Sequence, residues 1–345
     1  DGNQVNLKAG TAQVNAAALD LTTFIAGGAL AAASPLIIRG YTASANDGGV
    51  GEIDCGGAPM FAATTYDYVM LIDLEMHTFG DNNGIVLDQQ CLIYRCELHK
   101  GASSPSSRTL ATLAGSGAIV GCYVHDSGAG IDVCIDLTQS GVAIGNYILP
   151  TSYRGISCGS NTVISGNIIK GSTTSFQAII YHGTGPATVI GNVAYNSAAG
   201  TTMCLYLGNA AGRYARMCIN NIIVGQSGAG GKGIGTVNTG AGMVGSNAFY
   251  NNTANYGFAD VVFVDETSND VTLAADPFTD AANGDFSLTA AAKAALAGAG
   301  WPTSYLGADA ATVPNLNIGP IQLAAAAASG GGFPKIASLL GRTRM

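Results

Sequence analysis

VAIGNYILPT from Val142, VISGNIIKGS from Val163, TVIGNVAYNS from Thr188 and MCINNIIVGQ from Met217 align without a gap. The register extends upstream to MLIDLEMHTF from Met70, LIYRCELHKG from Leu92 and AIVGCYVHDS from Ala118, and downstream to MVGSNAFYNN from Met243. The fifth positions are Leu74, Cys96, Cys122, Asn146, Asn167, Asn192, Asn221 and Asn247, spaced 21 to 29 residues apart. A period of this size with variable inserts is too short for a propeller blade or a pair of solenoid helices. It lacks the LxxLxL signature of a leucine-rich repeat and suits one coil of a stacked parallel β-solenoid.

The chemistry inside the window agrees. Position seven is apolar in all eight stretches, from Met76 and Leu98 to Ile223 and Phe249. With the two-residue period of a strand, positions five and seven face inward and six and eight outward. Five successive inward asparagines, Asn146, Asn167, Asn192, Asn221 and Asn247, then lie about 4.8 Å apart and can hydrogen-bond along the axis. Position four is Gly in four of the eight, as a sharp turn before a strand favours. A further apolar strand recurs in most coils, as in GIVLD from Gly84, VCIDL from Val133, GISCG from Gly155 and CLYLG from Cys204.

Composition narrows the function. Of 345 residues only 10% are charged, the net charge is −8 and 48% are hydrophobic. Such a chain can build a large core, and its acidity argues against a nucleic-acid partner, which would need clustered Lys and Arg. No apolar run reaches the roughly 18 residues of a membrane span. The eight cysteines form no CxxC pair and sit mostly in apolar runs, so they read as small buried hydrophobes rather than a disulfide framework. Unpaired cysteines fit assembly in a reducing compartment.

Several segments outside the repeats carry a family likeness. The opening DGNQVNLKAGT, the pair LIIRGYTAS and GEIDCGGAP, and the closing DPFTDAANGDFSLT and LNIGPIQ resemble the right-handed parallel β-helix repeat family, the superfamily of pectate lyases and phage tailspikes. The resemblance implies an all-β, single-domain right-handed parallel β-helix of roughly ten to eleven coils. It leaves function open among lyases, hydrolases, adhesins and virion proteins. Relatives normally carry a further segment before the first strand, so Asp1 is expected not to be the native start. The expected organisation is a β-helix over 1–322 with a closing segment at 276–322, an Ala/Gly/Ser linker over 323–332 and an apolar, basic tail over 333–345, which reads as a docking peptide or a frayed end.

The outward positions hold the chemistry. Position six carries Glu75 and Glu97, and position eight carries His77, His99 and His125, three of the four histidines in the protein. They are expected to stack on one patch, where paired carboxylates would favour a divalent cation or a sugar acid; otherwise they form a soluble polar ladder. A uronate lyase would add calcium-binding acids and a Lys or Arg base, and only Lys170 offers one on these columns. A hydrolase would add stacked Asp carboxylates, and Asp132 and Asp136 have no second pair beneath them. Outward Tyr123, Tyr147, Tyr195 and Tyr250 suit a sugar or another subunit. Outward Ile168, Val193, Ile222 and Val224 form an apolar stripe that must be buried against a partner or a closing segment. The expected role is a structural or adhesive protein of a virion or cell surface, with a surface glycan and a homo-oligomer as partners and no required cofactor. The alternative is a polysaccharide lyase or glycoside hydrolase acting on an acidic polysaccharide.

Overall fold

In the computed structural model the chain is a single-domain parallel β-solenoid. The structure describes residues 3–8, 13–14 and 34–299, apart from 46, 62–65, 80–83, 100–108, 126–132, 150–153, 182–184, 209–216, 237–240, 259–261, 267–268 and 298. The linker 323–332, the tail 333–345 and LNIGPIQ lie outside the described residues. Among those described, no helix is long and apolar enough to cross a membrane.

The strands stack into three sheets of eleven, eleven and eight strands. Repeat positions one to three supply the first sheet, as in Val142–Ile144 and Ala187–Ile190. Positions five to eight supply the second, as in Leu74–His77 and Val193–Asn196. The recurring upstream strands supply the third, as in Val133–Leu137 and Met203–Tyr206. The gap-free alignment is the pairing register: Glu75 pairs with Glu97, His99 with His125, Tyr147 with Ile168 and Ile168 with Val193. The expected ten to eleven coils need correcting in one respect. Among the described residues eleven rungs are present in two sheets, and eight of them carry a third strand. Near the start, the turn around Cys55–Met60 reaches the third sheet where Met60 N–H donates to the Gly84 carbonyl at 2.8 Å. After Thr272 the chain leaves the solenoid for an antiparallel hairpin.

Position four turns each coil between the first two sheets. All eight residues there are left-handed, with φ between 50° and 66°. Gly121, Gly145, Gly166 and Gly191 adopt this without a Cβ penalty, whereas Asp73, Arg95, Asn220 and Ser246 do not. Asp73 and Arg95, one rung apart, tie their turns together by an ion pair of 2.6 Å in which the Asp73 carboxylate is buried.

Inside, position seven is apolar and buried in every window. Position five holds the amide column. Each Asn Nδ2 donates to the Oδ1 of the next rung: Asn146 to Asn167 at 2.8 Å, Asn167 to Asn192 at 2.9 Å, then Asn192 to Asn221 and Asn221 to Asn247 at 3.0 Å. Each Oδ1 also accepts the backbone N–H of the preceding position five, and each Nδ2 reaches a first-sheet carbonyl, as Asn167 does at Ala143. Buried amides are tolerated because donors and acceptors are matched rung by rung. Towards the start Cys122 and Cys96 continue the column: Cys122 N–H donates to Asn146 Oδ1 at 2.9 Å and Cys96 N–H to Cys122 Sγ at 3.4 Å. All eight cysteines are free and buried, as their apolar settings indicated. Burial pushes the Cys158 and Cys204 thiols up to about 12, so they are unreactive packing groups.

Asn192→Leu removes the acceptor of both the Asn167 amide and the Asn167 backbone N–H. The expected cost is about 1–3 kcal/mol, read as a lower urea midpoint at unchanged m-value. Ser246 is the converse case: it is left-handed, wholly buried, and its hydroxyl has no hydrogen-bond partner. Ser246→Gly relieves both penalties and is expected to stabilise by about 1 kcal/mol despite the freer unfolded chain. A lowered midpoint in that variant would mean the turn is not under strain.

Candidate functional site

The outward face of the second sheet divides into two halves. From Gly51–Asp54 to Tyr147–Ile148 its outward residues are polar or aromatic and partly exposed. From Ile168 onward they are largely buried.

The polar half is built on parallel register. Glu52, Glu75 and Glu97 stand in one column and Asp54, His77, His99 and His125 in the next. Like residues thus face like residues across rungs about 4.8 Å apart, an arrangement that repels between carboxylates. The side chains answer by reaching diagonally. Nε2 of His77 lies 3.0 Å from Glu52 Oε1, that of His99 3.4 Å from Glu75 Oε1, and that of His125 2.9 Å from Glu97 Oε1. Each imidazole takes the carboxylate of the rung before it. An N–H must therefore sit on His77 Nε2 and His125 Nε2, since a carboxylate only accepts. His77 Nδ1 contacts the Thr78 hydroxyl at 2.7 Å and lies 3.9 Å from Asp54. The rings form one stacked row, His77, His99, His125, Tyr123 and Tyr147, with centroids 4.1 to 5.5 Å apart and planes within 21° of parallel. Stacked in this way they offer solvent their edges, with ring N–H, phenol and carboxylate groups for hydrogen bonding.

The five site residues expected from the sequence are therefore brought together: Glu75, Glu97, His77, His99 and His125 share one strip. Sequence reading missed Glu52 and Asp54. GEID at Gly51 repeats the acid–apolar–polar order of LEMH at Leu74, but its fifth position is Gly51, and without an Asn or Cys marker the rung escapes the alignment.

The other half is covered from within the chain. Strands Phe278–Asp280 and Asp285–Leu288 form a hairpin around the short turn Ala281–Asn283, followed by the helix Ala290–Leu296, whose cap Thr289 accepts from Ala292 N–H at 3.2 Å. Phe278, Phe286, Leu288, Ala292 and Leu296 bury Ile168, Val193, Ile222 and Val224 in a second core. The apolar stripe thus finds its closing segment, and it provides no surface for another subunit. The tyrosines are drawn in as well: Tyr195 packs edge-on against Phe278 and Phe286, Tyr147 against Phe286, and Tyr250 lies beside this core. Burial, with Tyr123 alongside, pushes the Tyr147 phenol up to about 12. Lys170 donates to the Ala282 carbonyl at 2.6 Å, which occupies the one base expected for lyase chemistry. Asp132 lies outside the described residues, and Asp136 is on the third sheet, away from the strip.

No protein-family model and no curated protein matches this chain. Among solved structures it is similar to a double mutant of the tailspike protein of E. coli bacteriophage HK620, with a TM-score of 0.41 and 11% identity over 78% of this chain. The chain spans 54% of that tailspike chain.

Phe286 is the residue that joins the covered half to the ring row. Phe286→Ala is expected to cost about 3–5 kcal/mol and to expose the stripe, read as a lower unfolding midpoint together with new binding of a hydrophobic dye. A variant that melts like the wild type would show that the hairpin is not what covers the stripe.

Proposed function

We propose that this protein is a structural, adhesive rod of a virion or cell surface, and that the Glu–His–Tyr strip of its second sheet is the face that holds a surface glycan. The carrying observation is the straight polar row itself, in which Glu52, Glu75 and Glu97 with their imidazoles repeat at one-rung pitch while the apolar half of the same sheet is sealed. A sugar chain laid along the axis would meet carboxylate acceptors for its hydroxyls and ring N–H and phenol donors for its ring and linkage oxygens. Tyr123 is the tyrosine of this row that the hairpin leaves alone; stacking on a sugar is a lesser contribution, because neighbouring rings already occupy both its faces. The stripe that suggested a second copy is covered by the chain's own hairpin, so the adhesive reading does not depend on an oligomer.

A glycoside hydrolase is the second reading, favoured by Glu75 and Glu97 standing one rung apart, near the roughly 5–5.5 Å separation of retaining glycosidases. Against it, each carboxylate is engaged by an imidazole and neither stands in an apolar pocket that would keep a general acid protonated.

Binding to a panel of neutral and acidic cell-surface polysaccharides, with reducing ends and unsaturated products measured in parallel, tests both. The expected outcome is retention on at least one polysaccharide without product, weakened roughly tenfold by Glu75→Gln, the loss of about 1.4 kcal/mol expected for one charge-assisted contact. Product release that Glu75→Gln abolishes would replace adhesion with hydrolysis. Retention that the variant leaves unchanged would take the glycan off this face.

A further inference from the structure

We propose that Glu97, His99 and His125 form a site for one divalent transition-metal ion of the zinc class. The inference concerns the metal alone and does not rest on the glycan reading.

One ligand atom from each of these residues lies within 4.8 Å of the other two. His125 Nε2 and Glu97 Oε1 are already 2.9 Å apart, and the His99 and His125 rings stack at 4.9 Å with planes 18° apart. Metal–ligand bonds of about 2.0–2.2 Å place tetrahedral donors roughly 3.3–3.6 Å from one another. The closest contact must open slightly and the widest must close by about 1 Å, movements that side-chain torsions supply. The backbone need not shift: the three residues sit on two adjacent, paired rungs, Glu97–His99 and Tyr123–His125, whose spacing the sheet fixes. The side chains are partly open to solvent, with Glu97 37% and His125 13% exposed, so a hydrated ion can enter.

Charge supports an ion here. Glu75 and Glu97 stand one rung apart, where like charges repel. A divalent cation adds positive charge to the diagonal imidazole contacts that already ease this repulsion. It takes the lone pairs of neutral imidazoles, neutralises the Glu97 carboxylate and stands beside Glu75, whose Oε1 lies 3.4 Å from His99 Nε2. For His125 Nε2 to bind the ion, the proton with which it donates to Glu97 passes to Nδ1 by way of solvent, so the ring stays neutral and its Nε2 lone pair is freed. Two nitrogen donors and one oxygen select zinc, cobalt, nickel or copper over calcium and magnesium, which take all-oxygen shells. Three protein ligands leave a fourth position for water or a ligand oxygen. His77 belongs to a different set: Glu52, Thr78 and Asp54 hold it.

The test uses the whole chain, stripped with chelator and titrated with Zn²⁺ by calorimetry and with Co²⁺ by visible absorption. One ion per chain is expected, with a cobalt spectrum lacking a thiolate charge-transfer band, which separates this site from the eight cysteines. His99→Ala and His125→Gln should each weaken Zn²⁺ binding at least about tenfold, while His77→Ala changes it by less than about twofold. Ca²⁺ should compete weakly. Melting in metal-free buffer checks that each variant folds. The proposal is overturned by the absence of stoichiometric binding, by binding that survives both His99→Ala and His125→Gln, by a thiolate band, or by Ca²⁺ binding as tightly as Zn²⁺.

Discussion

An amide in an apolar interior must find a partner, and in this rod the partner is the same amide one rung away. Because the pairing is parallel and in register, a residue that works at one level works at the next, and every column is a repeat of one solution. The Asn column is the strictest case, since each Oδ1 from Asn167 to Asn247 takes two donors and each Nδ2 from Asn146 to Asn221 gives to at least two acceptors. A one-residue slip would turn asparagines to solvent and glutamates and histidines to the core. Register is therefore fixed from inside, and the outward columns inherit it.

That inheritance makes the functional face. Stacking like on like is harmless for Ile168, Val193 and Ile222, which share one cover. It is a difficulty for Glu52, Glu75 and Glu97, and the diagonal His–Glu contacts are its resolution. Exposed pairs of this kind contribute little to stability, about 0–1 kcal/mol each, so holding the fold together is a weak reason for three of them in a row. The closing hairpin stops where the polar row begins, with Tyr147 as the shared residue, stacked on Tyr123 on one side and packed on Phe286 on the other.

Much of this was legible in the sequence, for a physical reason: an inward column is a constraint on residue type, so Leu74, Cys96, Cys122 and the five asparagines announce the register by themselves. Position four was half legible. Four glycines mark the left-handed turn, and Asp73 and Asn220 are types that visit it, but Arg95 and Ser246 occupy the same conformation with no propensity to reveal them. The stripe was recognised as needing cover, yet its cover lies about a hundred residues downstream of Ile168, and residue type alone does not distinguish a hairpin of the same chain from a partner. The His–Glu diagonal was not legible at all. Register places Glu beside Glu and His beside His, and only side-chain reach pairs them across rungs.

The amide column also has a direction. The Nδ2 groups of Asn146, Asn167, Asn192 and Asn221 all donate along the column to the next Asn towards the C-terminal end, so the amide dipoles add into a one-way relay. At the rung after Asn247 the acceptor is Asp270, whose carboxylate takes the Asn247 N–H at 2.8 Å and also the Tyr256 hydroxyl. A carboxylate accepts but has no amide proton to pass on. The relay ends there by chemistry rather than by running out of chain, and a negative charge sits where the summed dipole delivers its donors. In this molecule one oxygen in place of one amide nitrogen is a full stop: it stands at the rung where the amide column ends and after which the chain turns back over its own side.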